Sequence, residues 1–507
     1  MDEKIAWMQK MLRACGHIEE YTQEEKEIVF LGIHQEFNTF SADDKMIVES
    51  VLKEQMDAKD FMYVLSILIK NGAADQWIPL VLQLAESIKL NRVVRSMIEV
   101  QLNAISHNRY LEVREFHKNT VAQWANAIPI FKNYTDIEKR NQNRIVIVTE
   151  QLISELHAPT KVVLQTAYVL QHIMGYEVLL VSLPCNAGKI GEIWYDSYVM
   201  NSDSEYEDEP IIRKYKDEVF FGYQVSMKMR NVRDYSMLIS YILEWNPLFV
   251  FSMGTTNPVA DILINYTTVV AQSMSTFMAV SEAQILIDIG NNDEIIQHLR
   301  QMVIRFDEVP RYFGEAKEIH TREKYGIKEN QFVCAVVGNR LGKEVDSAFI
   351  DFMKKVTERN KNVAFAFVGA FEKGQELIEN GIPKDQLFFL GYCNDLLGLY
   401  KIMDLYVNPD RMGGGFSSAM ALTAGVPVLS INHGDVLKQV GKTFCVENYD
   451  EMSKEIEKYI QDSAYREEKV KMAMDYAKER TEEKMIQALQ KNLLELINIV
   501  KTSGNNR

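Results

Sequence analysis

The sequence predicts an α/β protein in which an all-helical N-terminal region is followed by two successive α/β domains. Three observations support this prediction. Residues 1–138 show amphipathic helical periodicity without long strand-like alternation. From residue 139 onward, short apolar runs alternate with amphipathic segments, the pattern of parallel sheets covered by helices. With 507 residues, the chain has the length of about three domains.

The composition is that of a globular protein and argues against duplex nucleic acid as a partner. Apolar residues make up 47% of the chain and charged residues 25%, enough for a core in every domain. The formal net charge is −15 and the sequence has no basic block, whereas a duplex or an anionic membrane surface binds to a basic face. A buried basic pocket for a single phosphate is compatible with this charge.

The sequence predicts neither a membrane span nor a metal centre. No run approaches the ~20 apolar residues that cross a bilayer, and the N-terminus carries acids where a signal peptide carries bases. We therefore expect a cytoplasmic location. The five cysteines are scattered and the nine histidines lack HxxxH spacing, so disulfides and a structural zinc site are not expected.

The first predicted domain comprises residues 1–138. Its amphipathic segments end at glycine stops such as Gly16 and Gly72, and Asp43 and Asp44 precede a predicted helix over residues 45–56. The apolar faces of these helices are expected to form the domain's own core. A face that binds a protein partner is the alternative.

Two α/β domains are predicted over residues 139–315 and 316–480. Predicted strands of the first are 145–149, 177–183, 248–252, 268–272 and 284–287, with a helix near 232–244. Predicted strands of the second are 332–337, 363–368, 387–390, 404–407 and 426–430, with a helix at 345–357. The acidic tract 202–209 is predicted to be a solvated loop, or alternatively an acceptor-contacting loop. Residues 481–507 are predicted to form an amphipathic helix that packs back across the domains.

The most informative segment is a glycine-rich turn between a strand and a helix. Three glycines permit positive φ and close approach of a ligand, and the following residues open the helix. Unpaired N–H groups and the partial positive charge of a helix N-terminus suit a phosphate or pyrophosphate. The spacing fits neither the Walker motif nor GxGxxG, and a purely structural turn is the alternative. The residues of this anion cradle are Gly413, Gly414, Gly415, Phe416, Ser417 and Ser418.

The region around this turn resembles the donor-binding half of GT-B glycosyltransferases of group 1 and of the O-GlcNAc transferase type. Four segments carry the resemblance: 337–341, 390–400, 403–409 and 424–428. The resemblance implies two Rossmann-like domains that face a cleft. It also implies that a nucleotide-sugar, such as a UDP-sugar, is the donor substrate. No cofactor and no metal are expected, because a helix dipole and an arginine can neutralise the leaving diphosphate.

The same resemblance implies roles for individual residues. Arg340 would contact the donor diphosphate and Lys343 would add a second cation, with ordinary surface positions as the alternative. Gly391, Tyr392 and Asn394 would hold the nucleotide base. The glycine-rich turn would hold the diphosphate itself.

Two methionines depart from the family pattern. Many retaining members carry glutamates at the positions of Met412 and Met420, and a thioether does not accept strong hydrogen bonds from ribose. We expect a glycosyltransferase, with a weak lean to inversion, that moves a sugar to a hydroxyl or amide of a glycan or protein. The alternative is a catalytically degenerate GT-B protein that serves as substrate-binding or partner subunit of another transferase.

The predicted acceptor side lies in the first α/β domain. His157 precedes Pro159 between the first strand and the first helix, where inverting glycosyltransferases of the plant natural-product type place their base. A neutral imidazole there accepts a hydroxyl proton, with local backbone capping as the alternative role. Thr255, Asn257 and Asp261 lie around the start of another helix, in a loop that is expected to line the cleft. The structural alternative is that Asn257 caps the helix and Asp261 is a first-turn acid that favours its dipole.

Overall fold

The computed structural model describes residues 2–17, 20–21, 109–150, 152–153, 157–183, 210–225, 232–274, 277–411 and 413–503, with isolated positions between 25 and 102. The chain forms two compact units, residues 1–308 with 489–507 and residues 309–488. Several sequence predictions lie outside the described residues: the helix over 45–56, the stop at Gly72, the acidic tract 202–209, Met412 and the side chain of Lys343.

The described part of the first unit contains an eight-stranded sheet in the order β3-β4-β2-β1-β5-β6-β7-β8. Its neighbouring strands are parallel except for the antiparallel hairpin of β3 and β4. The order runs outward from the boundary between β1 and β5, which is the switch point of the sheet. The strands are β1 (Asn141–Thr149), β2 (Glu177–Ser182), β3 (Pro210–Tyr215), β4 (Glu218–Gln224), β5 (Pro247–Met253), β6 (Val269–Gln272), β7 (Ile285–Asp288) and β8 (Met302–Arg305).

Helices precede this sheet and connect its strands. Helix α1 ends at Gly16, as the sequence predicts. Helix α3 continues into a π-helical turn over Val169–Ile173. The helices are α1 (Asp2–Gly16), α2 (Tyr110–Ala127), α3 (Ala158–Tyr168), α4 (Val232–Trp245), α5 (Pro258–Asp261) and α6 (Asp293–Ile296).

The helical N-terminal segment and the first sheet share one hydrophobic core. Val113, Phe116 and Trp124 of α2 belong to the same buried cluster as Val146 of β1. The Trp124 ring meets the ring of Tyr235 edge to face, with centroids 5.2 Å apart. The apolar face of α2 is therefore buried against the α/β part of its own unit.

The second unit contains a parallel six-stranded sheet in the order β11-β10-β9-β12-β13-β14. Strands β9 and β10 are buried at every position, as is typical of parallel strands covered on both faces. The order reverses between β9 and β12, which places a second switch point there. The strands are β9 (Phe332–Val337), β10 (Val363–Val368), β11 (Leu387–Gly391), β12 (Leu405–Val407), β13 (Val428–Ile431) and β14 (Cys445–Val446).

Side-chain caps define several helix starts in the second unit. Asp346, Asp395 and Asn448 each accept a hydrogen bond from a backbone N–H in the first turn that follows. The helices are α7 (Leu341–Glu344), α8 (Ser347–Arg359), α9 (Gly374–Glu379), α10 (Leu396–Tyr400), α11 (Gly415–Thr423), α12 (Gly434–Val440), α13 (Tyr449–Gln461), α14 (Ser463–Lys478) and α15 (Glu482–Ser503). The predicted α/β class, with helical segments before two sheets, is confirmed.

Candidate functional site

The glycine-rich turn lies at the switch point of the second sheet. Strand β9 runs into Gly338, and its neighbour β12 runs into Asn408 and the turn that starts α11. Ligands of open α/β sheets bind at the carboxyl ends of strands where the strand order reverses. The sequence-predicted anion cradle therefore occupies the position where this fold binds ligands.

The backbone of the turn requires glycine. Gly414 has φ of +99°, and a Cβ there would come within 3.0 Å of Asn408 Oδ1. A Cβ on Gly415 would come within 3.0 Å of the Asp435 side chain. Asn408 is buried and donates from Nδ2 to the carbonyl of Gly413 at 3.4 Å. Neighbouring side chains thus hold the turn in one conformation.

No side chain caps the start of α11. Its N-cap is Gly414, which offers no side-chain hydrogen bond to the first turn. The first N–H groups of a helix have no partner inside the helix, so those of Gly415, Phe416 and Ser417 point outward beyond its end. The hydroxyl of Ser418 is buried and donates to the Gly415 carbonyl at 2.9 Å, so it stabilises the first turn.

Arg411 supports the glycine-rich turn, and no local sequence pattern indicates this role. Its guanidinium donates to Asn408 Oδ1 at 2.9 Å and to the carbonyl of Val337 at 2.7 Å, and it forms an ion pair with Glu344. Only 7% of the side chain is exposed. Burial opposes the charge, but Tyr406 and Glu344 outweigh it and raise the pKa of Arg411. Arg411 therefore connects β9, α7 and the glycine turn.

Arg340 is an exposed cation at this corner. It is 75% exposed, and its Nη2 lies 3.2 Å from Glu344 Oε1. The same nitrogen lies 3.6 Å from the position of a Cβ on Gly413. The structure thus places Arg340 beside the glycine turn, with its guanidinium available to an anion.

The predicted base-binding residues lie at the end of β11, two strands from β9. Gly391 has φ of +67°, and Tyr392 is 63% exposed. Asn394 is also exposed. Tyr400 of the following helix donates to the carbonyl of Ser417 at 2.9 Å. This bond connects the helix after the loop to the first turn of α11.

Two apolar side chains beside the turn are engaged in packing. Phe416 meets Phe313 edge to face, with centroids 4.8 Å apart. Met420 is half-buried and packs on the same small cluster. Met420 thus contributes to the core.

A cavity of about 930 Å³ in the second unit lies away from this corner. It is lined by the loop of Tyr312 and Glu315, the C-terminal end of α11 at Thr423, and the start of α15. The nine residues of α11 span about 13 Å, which separates this cavity from the glycine turn.

In the first unit, His157 lies at the N-terminus of α3. Its Nδ1 is 3.0 Å from the hydroxyl of Thr160, which also accepts from the N–H of Ile153 at 3.0 Å. His157 is half-buried, and this burial lowers its pKa. The imidazole is therefore neutral near pH 7.

The other predicted acceptor-side residues form structural bonds. Asn257 caps α5 by accepting from the N–H of Ala260 at 3.0 Å. Asp261 is buried, and it accepts from the hydroxyl of Ser281 at 2.7 Å and pairs with His117. Thr255 is half-buried, next to the Asn257 cap.

The structure also contains a buried histidine between two carboxylates. His117 Nδ1 lies 3.1 Å from Glu99 and Nε2 lies 2.8 Å from Asp261, and all three side chains are buried. Burial lowers the pKa of His117, but the charges of Glu99 and Asp261 raise it to about 10. The imidazole is therefore charged at neutral pH.

Neither a metal-binding cluster nor a membrane-spanning helix occurs among the described residues. Among them, no three His, Cys, Asp or Glu side chains are grouped to hold a metal ion. Within the same residues, no helix combines the length and the apolar character needed to cross a bilayer.

Comparisons with known proteins agree with this geometry. Residues 317–480 match the family model described as glycosyl transferases group 1. A point mutant of Thermobaculum terrenum O-GlcNAc transferase has a similar fold at 12% identity and a TM-score of 0.54, over 97% of this chain and 94% of that one. A glycosyltransferase from Rickettsia africae ESF-5 is similar at 11% identity and a TM-score of 0.50, over 71% and 99% respectively.

No curated protein matches the sequence. The match to the family model covers the switch point, the glycine turn and the loop after β11. Residues 317–480 are therefore similar to glycosyl transferases group 1, and the chain has the GT-B fold.

Proposed function

We propose that this protein transfers a sugar from a nucleotide-sugar donor to a hydroxyl or amide of a glycan or protein. The observation that carries the proposal is the corner between β9 and β12, where Arg340 lies beside Gly413 at the uncapped start of α11. Arginine and helix N–H groups are the usual protein ligands of a diphosphate. The family match of the surrounding residues supports the same substrate class.

The proposed chemistry depends on stabilising the leaving group. When the bond between the sugar and the diphosphate breaks, the diphosphate gains negative charge. Arg340 and the N–H groups of Gly415 and Phe416 are placed to stabilise that charge without rearrangement, because Arg411 and Asn408 already fix the turn. The nucleotide base is proposed to bind at the exposed loop after β11.

The acceptor is proposed to bind to the first unit. His157 and Glu150 both follow β1, and both carry titratable side chains near the carboxyl end of the first sheet. Met412 and Met420 stand where many retaining members carry glutamates, which favours an inverting transfer. An inverting transfer is a direct displacement. Stereochemistry is read by NMR of the product anomer.

Calorimetry with UDP and GDP and their sugars tests the proposal. We expect one of these ligands to bind, and Arg340→Ala to weaken its binding about 10- to 100-fold, because charged hydrogen bonds contribute about 1.5–3 kcal/mol. Arg359→Ala is the matched control, because Arg359 is an exposed arginine of α8 paired with Glu457 and outside the turn. Failure of every nucleotide to bind at millimolar concentration would eliminate the proposal.

A degenerate, partner-binding GT-B protein is the second candidate function. The observation that favours it is Met420, whose side chain packs in a core cluster where relatives carry an acid. Met420→Glu tests this candidate by calorimetry with the same nucleotides. A large gain in donor affinity would support lost ribose binding, whereas tight binding by the unaltered protein, unaffected by the substitution, would support the enzyme.

A further inference from the structure

The cavity of about 930 Å³ in the second unit has no part in the proposed transfer reaction. All of its lining residues fall within residues 309–488, so a single compact unit forms it. Its volume lies in the range of ~300–1,000 Å³ that is typical of small-molecule sites. The cavity therefore has the size of a binding site that is separate from the glycine turn.

Part of the cavity lining is apolar. Leu397 of α10, Ala424 at the end of α11, Ala477 of α14 and Ile486 of α15 contribute to it. Two of these four side chains are alanines, so α11 and α14 present little side-chain bulk here. Tyr312 adds a half-buried aromatic ring. Such a lining suits the apolar C–H face of a ligand ring.

The rest of the lining mixes charges of both signs. Two cations, Lys401 and Arg480, lie around the same cavity as three carboxylates, Glu315, Glu482 and Glu483. The formal charges nearly cancel, so neither a strongly anionic nor a strongly cationic ligand is favoured. Carboxylates only accept hydrogen bonds, whereas lysine and arginine only donate them. The cavity therefore offers both donors and acceptors to a ligand.

The helix that starts at this cavity does not offer a phosphate site. The hydroxyl of Thr481 accepts from the N–H of Lys484 at 3.3 Å and so caps the start of α15. Glu482 and Glu483 place two carboxylates in the first turn, at the positive end of the helix dipole. A phosphate would meet these negative charges at close range. The cavity is therefore not a second nucleotide site.

Two of the polar groups are held in place by neighbouring residues. The guanidinium of Arg480 lies over the ring of Tyr476, 3.4 Å from its centroid, and donates to the Tyr476 carbonyl at 3.4 Å. The amide of Gln487 donates from Nε2 to Glu483 Oε1 at 3.1 Å. Side chains that are already positioned lose less conformational freedom when a ligand binds. This part of the cavity is thus prepared for hydrogen bonding.

We propose that this cavity binds a short, neutral oligosaccharide. A sugar ring carries no charge, its hydroxyls both donate and accept hydrogen bonds, and its C–H faces are apolar. The carboxylates would accept from the hydroxyls, while Arg480 and the Gln487 amide would donate to them. This inference goes beyond the proposed function, because a protein that transfers no sugar would bind the same ligand. The site would hold a glycan on the second unit, apart from the donor corner.

Calorimetry of the full chain with maltotriose, cellotriose and tri-N-acetylchitotriose at millimolar concentration tests the proposal. We expect at least one of these trisaccharides to bind. Arg480→Ala should weaken its binding about 10- to 100-fold, and Gln487→Ala about three- to tenfold, as expected for a charged and a neutral hydrogen bond. Gln375→Ala is the matched control, because Gln375 is an exposed glutamine of α9 that donates to Glu379 at 3.1 Å, outside the cavity.

A cavity-filling variant separates this site from any other sugar site. Ala477→Trp should abolish trisaccharide binding and leave the melting temperature and UDP affinity unchanged. The proposal would be overturned if no trisaccharide bound the unaltered protein, or if a folded Ala477→Trp variant bound it equally well. Weaker binding of inorganic phosphate or UDP in Arg480→Ala would also overturn it, because the cavity would then be an anion site. Absence of UDP binding by the unaltered protein would contradict only the proposed function.

Discussion

Replacement of His117 by leucine is the most direct test of how the buried cluster stabilises the first unit. The imidazole lies between Glu99 and Asp261, and all three side chains are buried. Leucine has a similar volume but cannot donate to either carboxylate. Both acids would then be buried without their cationic partner, which typically costs about 3–5 kcal/mol.

This loss has a measurable thermal signature. At about 2 °C per kcal/mol for a unit of this size, the melting temperature should fall by roughly 6–10 °C. Differential scanning calorimetry at pH 7 measures the shift. His172→Leu is the matched control, because His172 is 47% exposed, pairs with Glu218 and should contribute no more than about 1 kcal/mol.

The pH dependence of stability gives a second readout of the same contact. The pKa of His117 is raised in the folded state, from 6.5 to about 10. Its contribution is therefore fully present below about pH 6.5 and is lost as the pH rises toward 10. The difference in melting temperature between the unaltered protein and His117→Leu should narrow over that range. A variant that melts with the unaltered protein at pH 7 would refute the reasoning.

Two further predictions concern the second unit. Gly369→Ala should prevent correct folding of the second sheet, because its Cβ would collide with the carbonyl oxygen of Gly338 and residue 369 has φ of +115°. Circular dichroism and thermal melting measure the loss of folded structure. A variant as stable as the unaltered protein would contradict this prediction. Arg411→Lys should lower the free energy of unfolding by about 1–3 kcal/mol, because a lysine cannot keep both the ion pair with Glu344 and the hydrogen bond to the Val337 carbonyl. Urea denaturation measures this change, and an unchanged midpoint would contradict the prediction.

The sequence predicts strands well where burial is complete. Parallel strands such as β9 and β10 are buried at every position, so they appear as continuous apolar runs. The hairpin of β3 and β4 was missed. The strands alternate between buried and exposed positions, but the exposed face carries the apolar residues Ile212 and Phe221, so the sequence does not show the apolar–polar alternation of a half-exposed hairpin. Strand β14, with two residues, is too short to give a pattern.

The residues of the candidate site also differ in how far the sequence predicts them. The glycine turn and Arg340 were predicted because neighbouring residues encode a strand, a turn and a helix start. Arg411 and Glu150 were missed because their partners are remote in sequence: Glu344 is 67 positions from Arg411, and Thr256 is 106 positions from Glu150. Asp261 was predicted as a cleft residue or helix cap, and the structure pairs it with His117, 144 positions away. Such contacts depend on the tertiary fold rather than on local spacing.

The core that α2 shares with the first sheet means that the N-terminal helices are not a separable module. A chain truncated to begin at residue 139 would leave the apolar surface that Phe116 and Trp124 cover open to water. We expect such a truncation to aggregate during expression. Any shortened form of the first unit therefore has to retain the helical segment.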